Sequence, residues 1–268
     1  MQPLKSSRAW QPLTPRGVAG LAREPLRRLL LVQFVFAVMT AASVVWFLHT
    51  AWFPTIGAAI RRLPAKGEIR SGRLTAAAGA PVLLAEGYFL AIVLDPTHTG
   101  GVRSTAHLQV EFGTTGVRCI SLMGYADWDY PETGWLVAFN RPELEPWWGA
   151  WGPPVLWITF VVVVVGLPLL WALWSTAWFL LVWLVGFFAN RNLTFWQCWK
   201  LSGAACLPGA LVLCAAIFCY GFRLLDLVQL SAAGTAQFVV GAMYCLASPF
   251  FAPKLSSAEA GGNPFARG

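Results

Sequence analysis

Residues 161–183 read VVVVVGLPLLWALWSTAWFLLVW, and no charged side chain falls anywhere between Glu145 and Arg191. A run of this composition reads as a membrane helix, because lipid offers the main chain no hydrogen-bond partner but itself. It is too long for one upright crossing, which takes about 20 residues. Two crossings need a polar turn, and the middle offers only Gly166, Pro168, Ser175 and Thr176. The reading is one long helix from about Pro154 to Phe188, tilted or kinked at Pro168, with two short helices over 154–188 as the open alternative. Trp147, Trp148 and Trp151 precede it at the outer interface, where half-wet rings collect.

Outward from this run lie three more. Leu29 to Leu48, LLLVQFVFAVMTAASVVWFL, has no charge and the length of a first span. A cleaved signal peptide competes, with Thr40-Ala41-Ala42 as its small-residue site, but the charged leader is long and the apolar run continues to Trp52. Two further spans run from about Ser202 to Phe222 and Ser231 to Phe251, with RLLDLVQL between them. Lysine and arginine in the short loops set the topology. With the N-terminus inside, the cytoplasmic side collects Lys5, Arg8, Arg16, Arg23, Arg27, Arg28, Arg191, Lys200, Lys254 and Arg267, and the outer short loop holds only Arg223. Five spans would put Arg191 and Lys200 outside, so four are expected, with both termini cytoplasmic.

Composition agrees. Of 268 residues, 57% are apolar and 12% charged, the mean hydropathy is +0.60 and there are fifteen tryptophans, too few charges for a water-soluble surface. The net charge of +7 sits mainly in the first 28 residues, while residues 53–150 hold eight basic and nine acidic side chains. A basic tail against an apolar span points to anionic lipid headgroups rather than nucleic acid. The expected division is a basic cytoplasmic tail at 1–28, span one at 29–52, an extracytoplasmic β-rich domain at 53–150, spans two to four at 151–251 and a flexible cytoplasmic tail at 252–268.

The 53–150 segment reads as strands. Alternation runs through His107 to Phe112 and Val117 to Leu122, with Gly113-Thr-Thr-Gly116 as a hairpin connection. Glu68 to Leu74, Tyr88 to Leu94 and Trp135 to Phe139 are further candidates, bounded by Gly72, Thr99-Gly100-Gly101 and Pro131-Glu-Thr-Gly134. With no helical period of useful length between them, a small antiparallel sheet or sandwich is expected.

Chemistry-bearing residues are sparse. The spans offer almost no ionisable group, as ion or proton transport would need. His49 reads as interfacial, and Arg223 and Asp226, three apart, as a pair on one helical face. Ala37 with Ala41, and Ala205 with Gly209, have helix-contact spacing. Of six cysteines, only Cys119 lies in the β-rich segment and there is no CxxC, so all read as small apolar residues. Tyr125 to Trp135 concentrates rings and carboxylates: Tyr125, Trp128 and Trp135 offer flat faces, and Asp127 and Asp129 accept hydroxyl protons, the chemistry of a sugar or peptide site. The plainer alternative is that these rings seal the domain against the bilayer or its own core. Calcium at Asp127, Asp129 and Glu132 lacks oxygens and the loop glycine. His98, His107 and Ser104 lack the context of a triad or zinc site, and there is no phosphate loop or dinucleotide fingerprint.

One span, an outer domain opening with Leu63-Pro64, Ile69, Gly72 and Leu74, a strand Ala91-Ile-Val-Leu-Asp95, and then three spans: this order resembles the maltodextrin-utilisation-associated (MalA-like) bacterial multi-pass membrane proteins of unknown function. Leu193-Thr-Phe-Trp-Gln-Cys-Trp-Lys200 is also similar to segments of that family and of Yip1-like membrane proteins. The resemblance brings no catalytic residues and implies, through some members, a link to carbohydrate uptake.

The expected fold class is a membrane α-helical bundle of four transmembrane helices with an extracytoplasmic β-rich domain inserted between spans one and two. The expected function is that of a non-enzymatic envelope protein of the bacterial inner membrane whose outer domain binds a ligand or protein partner. A small permease or permease subunit is the alternative, and an enzyme acting through Asp127, Asp129 and His98 comes third. Expected partners are the lipid bilayer, a membrane protein or second copy, and a carbohydrate or peptide; no nucleic acid, metal or cofactor is expected.

Overall fold

The structure, a computed structural model, describes residues 12–76, 80–96, 101–132, 134 and 136–254. Lys5, Arg8, His98, Trp135 and Arg267, and the C-terminal tail from 255, lie outside the described residues.

Among the described residues, four helices are long and apolar enough to cross a membrane: Leu26–Arg61, Arg141–Phe188, Phe195–Gly221 and Leu227–Phe251. The first is built from α2 (Leu26–Phe47), one widened π turn (Leu48–Trp52) and α3 (Phe53–Arg61). That turn falls immediately before Pro54, whose missing N–H interrupts the regular ladder there. The segment read as a plain tail contains a further helix, α1 (Pro15–Leu21), capped by Thr14, whose Oγ1 accepts from the Gly17 amide at 3.1 Å. The span read as 29–52 therefore belongs to a longer helix.

α4 (Arg141–Phe188) is one continuous helix of 48 residues, so 154–188 is not two short ones. It starts earlier than expected, because Asn140 caps it: Asn140 Oδ1 accepts from the Glu143 amide at 3.1 Å. Trp147, Trp148 and Trp151 are thus inside α4 rather than before it. α5 (Phe195–Gly221) and α6 (Leu227–Ala247, followed by a 3-10 turn at Ser248–Phe251) are close to expectation. Reciprocal caps start both: Thr194 with Gln197, and Asp226 with Gln229. That cap corrects the Arg223 and Asp226 expectation. α5 ends at Gly221, Arg223 takes a left-handed conformation (φ 63°), and its guanidinium lies 5.0 Å from the centre of the Tyr88 ring. The two residues do not share a helical face.

Among the described residues, eight strands form two sheets. β1 (Gly67–Arg70), β2 (Arg73–Ala76) and β8 (Leu136–Ala138) make the smaller, in the order β2-β1-β8. Residues 68–74, read as one strand, are a hairpin, because Ser71 and Gly72 both have positive φ (49° and 74°), the geometry of a two-residue turn that follows strand twist. β3 (Val82–Glu86), β4 (Leu90–Leu94), β5 (Leu108–Phe112), β6 (Gly116–Ser121) and β7 (Gly124–Asp129) form the larger sheet in sequence order. The β5–β6 hairpin is as expected. The sheet is not wholly antiparallel: β4 and β5 run parallel, Leu90 opposite Leu108, so the connection between them is a crossover, of which 95–96 and 101–107 are described. β4 is buried at every position, as a strand covered on both faces must be.

The chain divides into two compact units. In the first (Met1–Ala41, Val162–Ala216, Ala232–Gly268), α5 supplies the buried centre: Cys198, Leu201, Ala204, Ala205 and Leu207 have no exposed surface. Both small-residue pairs serve close packing. Ala37 and Ala41 are fully buried, and a Cβ at Gly209 would collide with the Gln237 carbonyl of α6. In the second unit (Ala42–Val161, Ile217–Ser231), the core joins Leu84, Leu90, Ile92 and Leu94 to Ala59 of α3 and to Leu63 just beyond it, so a helix interrupts the all-strand reading. The loops of the larger sheet also meet the end of α5: His107 Nδ1 lies 3.0 Å from the Tyr220 hydroxyl, and the Phe89 ring packs on Phe47 and Tyr220. All six cysteines carry free thiols; Cys119 and Cys219 are half-buried and the others buried.

Gly209→Ala drives a methyl into the α6 main chain, an overpacking that costs about 1–3 kcal/mol. The melting temperature of the detergent-solubilised protein is expected to fall, while Gly234→Ala, whose Cβ meets nothing within 4 Å, leaves it within about 0.5 kcal/mol of the parent.

Candidate functional site

Alternation along β5 sends Leu108, Val110 and Phe112 to the core and Gln109 and Glu111 to the opposite face. Strand register then aligns Glu111 with Arg118 of β6, and Arg118 with Asp127 of β7. The result is a row across three strands in the sign order minus, plus, minus. Opposite charges facing each other across strands stabilise a sheet. The Arg118 guanidinium forks onto Asp127, with Nε to Oδ1 at 2.7 Å and Nη2 to Oδ2 at 3.3 Å, and lies 5.5 Å from the centre of the Tyr125 ring. The bond to Asp127 first, and the charges of Asp127 and Glu111 after it, hold this guanidinium above its ordinary pKa.

The crossover between the parallel strands roofs this face. Gln109 Nε2 donates to the Val102 carbonyl at 2.9 Å and to Glu111 Oε1 at 2.7 Å, while its Oε1 accepts from the Ser104 amide at 2.8 Å. Ser104 Oγ donates to Glu86 Oε1 at 2.6 Å, and the Thr105 amide donates to the same oxygen at 3.3 Å. Those bonds depress the Glu86 carboxyl, Ser104 being the larger cause. Beneath the roof is a cavity of about 590 Å³ whose wall includes Arg103, Ser104, Gln109, Glu111, Arg118 and Tyr125. This size lies within the range of small-molecule sites. Glu111 and Gln109 are almost fully buried (1% and 5% exposed), while Tyr125 is 72% exposed, so a fixed polar floor meets an open aromatic flank.

Of the aromatic and acidic stretch singled out in the sequence, Tyr125 to Asp129 lie in β7. Its alternation divides it. Tyr125 and Asp127 belong to the cavity face, Asp129 continues that face opposite Gly116, and Trp128 points to the other face beside Val117. Trp135 lies outside the described residues. Asp127 is engaged by Arg118, and among the described residues no group of three His, Cys, Asp or Glu gathers to hold a metal. Ser104 hydrogen-bonds a carboxylate, and His107 a tyrosine hydroxyl, so the two make no nucleophile pair with each other. Sequence reading missed Arg103, Gln109, Glu111 and Arg118. The signal was present in the polar alternates of β5 and β6, but only the parallel crossover brings a roof over them.

Glu86 is the pH-sensitive peg of this roof. Because its folded pKa lies below the ordinary 4.5, its contribution is present above that value and is lost as pH falls through the lower folded one. Amide-exchange protection at Thr105, corrected for intrinsic rates, is expected to be level at neutral pH and to collapse below about pH 4.5. Glu86→Gln is expected to remove this pH dependence.

Comparisons of the chain with protein-family models, with curated proteins and with solved structures found no match.

Proposed function

We propose that the protein is a non-enzymatic receptor of the bacterial inner membrane, anchored by four spans, whose strand-bearing segment 53–150 faces away from the cytoplasm and binds a polar ligand. The observation that carries this reading is the cavity over the larger sheet, where donors and acceptors are already locked by Gln109, Glu111 and the Arg118–Asp127 fork. Preorganised polar groups beside an open tyrosine ring suit a carbohydrate or a short peptide, since the ring face packs on C–H groups while the fixed groups choose among hydroxyls or amides. Orientation follows from the basic residues near α1 and the α4–α5 connection, which favour the cytoplasm. The permease alternative gains no support from the first unit, whose buried Gln33, Ser175 and Ser202 donate to helix carbonyls at 3.2, 2.7 and 3.0 Å.

Full-length protein in detergent, titrated calorimetrically with maltodextrins, other oligosaccharides and envelope-derived peptides, is expected to show saturable binding to one class. Arg118→Ala and Tyr125→Ala are each expected to weaken it at least about tenfold, a loss of roughly 1.4 kcal/mol. Absence of saturable binding to every class would overturn the receptor reading. Separately, a reporter inserted near residue 100 is expected to be active only outside the cytoplasm, and cytosolic activity would overturn the orientation.

A further inference from the structure

A second cavity lies in the first unit. It is a groove of about 290 Å³ whose wall includes Leu21 of α1 and Arg28, Leu31, Val32, Val35 and Phe36 of α2. The α2 positions fall at i, i+3, i+4, i+7 and i+8, a single stripe. Its one charged member, Arg28, stands at one end, and everything beyond it is apolar. At about 1.5 Å per residue the stripe from Arg28 to Phe36 is roughly 12 Å long, which fits inside one leaflet of a hydrocarbon layer about 30 Å thick. Leu31 and Val35 are 59% and 48% exposed, so among the described residues nothing covers the groove.

The charge around the mouth is one-sided. Arg23 and Arg27 are exposed within five residues of Arg28 in the chain, and Lys200 of α5 reaches the same turn, donating to the Glu24 carbonyl at 2.7 Å. Glu24 is the one acidic residue in the chain before residue 68, and its carboxylate holds the Arg28 guanidinium in place at 2.7 Å. A site with one cationic end and an apolar length has the shape of a lipid, and the cationic excess favours a headgroup whose phosphate carries no compensating amine.

We propose that this groove binds one anionic phospholipid, its phosphate at Arg28 and Arg27 and its acyl chain along Leu31, Val32, Val35 and Phe36. The site is independent of the ligand cavity on the larger sheet and rests only on α2 standing in a bilayer. Filling it would cover the exposed stripe of α2 and tie α1 to the membrane surface.

The test is native mass spectrometry of the full chain released from micelles doped with equal phosphatidylglycerol and phosphatidylcholine. One retained phosphatidylglycerol per chain is expected, favoured about fivefold over phosphatidylcholine, the effect of one arginine near an anionic surface. Arg28→Gln is expected to abolish the preference, and Leu31→Trp, which fills the groove from an exposed position, to abolish retention. Leu173→Trp, at a position 69% exposed on α4, is expected to change neither and so controls for folding. Equal retention of the two lipids, or retention unchanged by both groove variants, would overturn the proposal. Displacement by millimolar inorganic phosphate would overturn it in favour of a plain anion site. A two-chain species lost on Leu31→Trp would overturn it in favour of a second copy.

Discussion

A main chain flanked by apolar side chains on every side has no partner for its N–H and C=O groups except itself, and most of this molecule follows from that constraint. It explains why α4 persists through Pro153, Pro154 and Pro168 for its whole length although only 6% of its most apolar window is buried by protein. A helix needs no neighbour to satisfy its backbone, and side chains as apolar as these suit a lipid surround. The same constraint turns the hydroxyls inside the first unit inward: Ser175 and Ser202 donate back to carbonyls one turn earlier on their own helices, while Gln33 of α2 donates across to the Gly203 carbonyl of α5. Close approach between helices falls to small residues, and α5 uses them. Its window is 67% buried, and Gly209 lets the α6 main chain come nearer than a side chain allows.

The second unit runs on different physics. Strands must exchange bonds with other strands, so position is set by register, and register put Glu111, Arg118 and Asp127 in one row. A buried carboxylate is costly unless neighbours compensate it, and here Gln109 donates to it while the guanidinium next in the row supplies opposite charge. The polar floor thus exists because the opposite face of the same strands is spent on the core formed with α3. The same unit is closed by aromatic packing, with Tyr220 at the end of α5 meeting both Phe89 and His107. The isolated look of His107 in the sequence came from its partner lying more than a hundred positions away.

Errors in reading the chain share one cause. Ser71-Gly72 inside an apparent strand, the left-handed Arg223 and the cap at Asp226 are each a decision made over two to four residues by turn geometry, below the scale of hydropathy or alternation. Arg223 and Asp226 have helical spacing, but a helix end between Gly221 and Leu227 cancels it. The β7 strand was masked by its composition: its residues are all exposed, so it shows no apolar alternation, and its rings and carboxylates drew attention as a ligand site instead.

The sequence by itself determined the number and approximate extent of the long apolar helices, the presence of strands between the first and second, and the small-residue contacts. Each of these depends on composition or spacing within one segment, where the physics is local. Only the tertiary structure decided that β4 and β5 run parallel, that residues 101–106 roof one sheet face, and that Gln109, Glu111 and Arg118 share a cavity with Tyr125. Those are meetings between distant segments, and the free energy that selects them comes from packing and charge that exist once the strands have found their register.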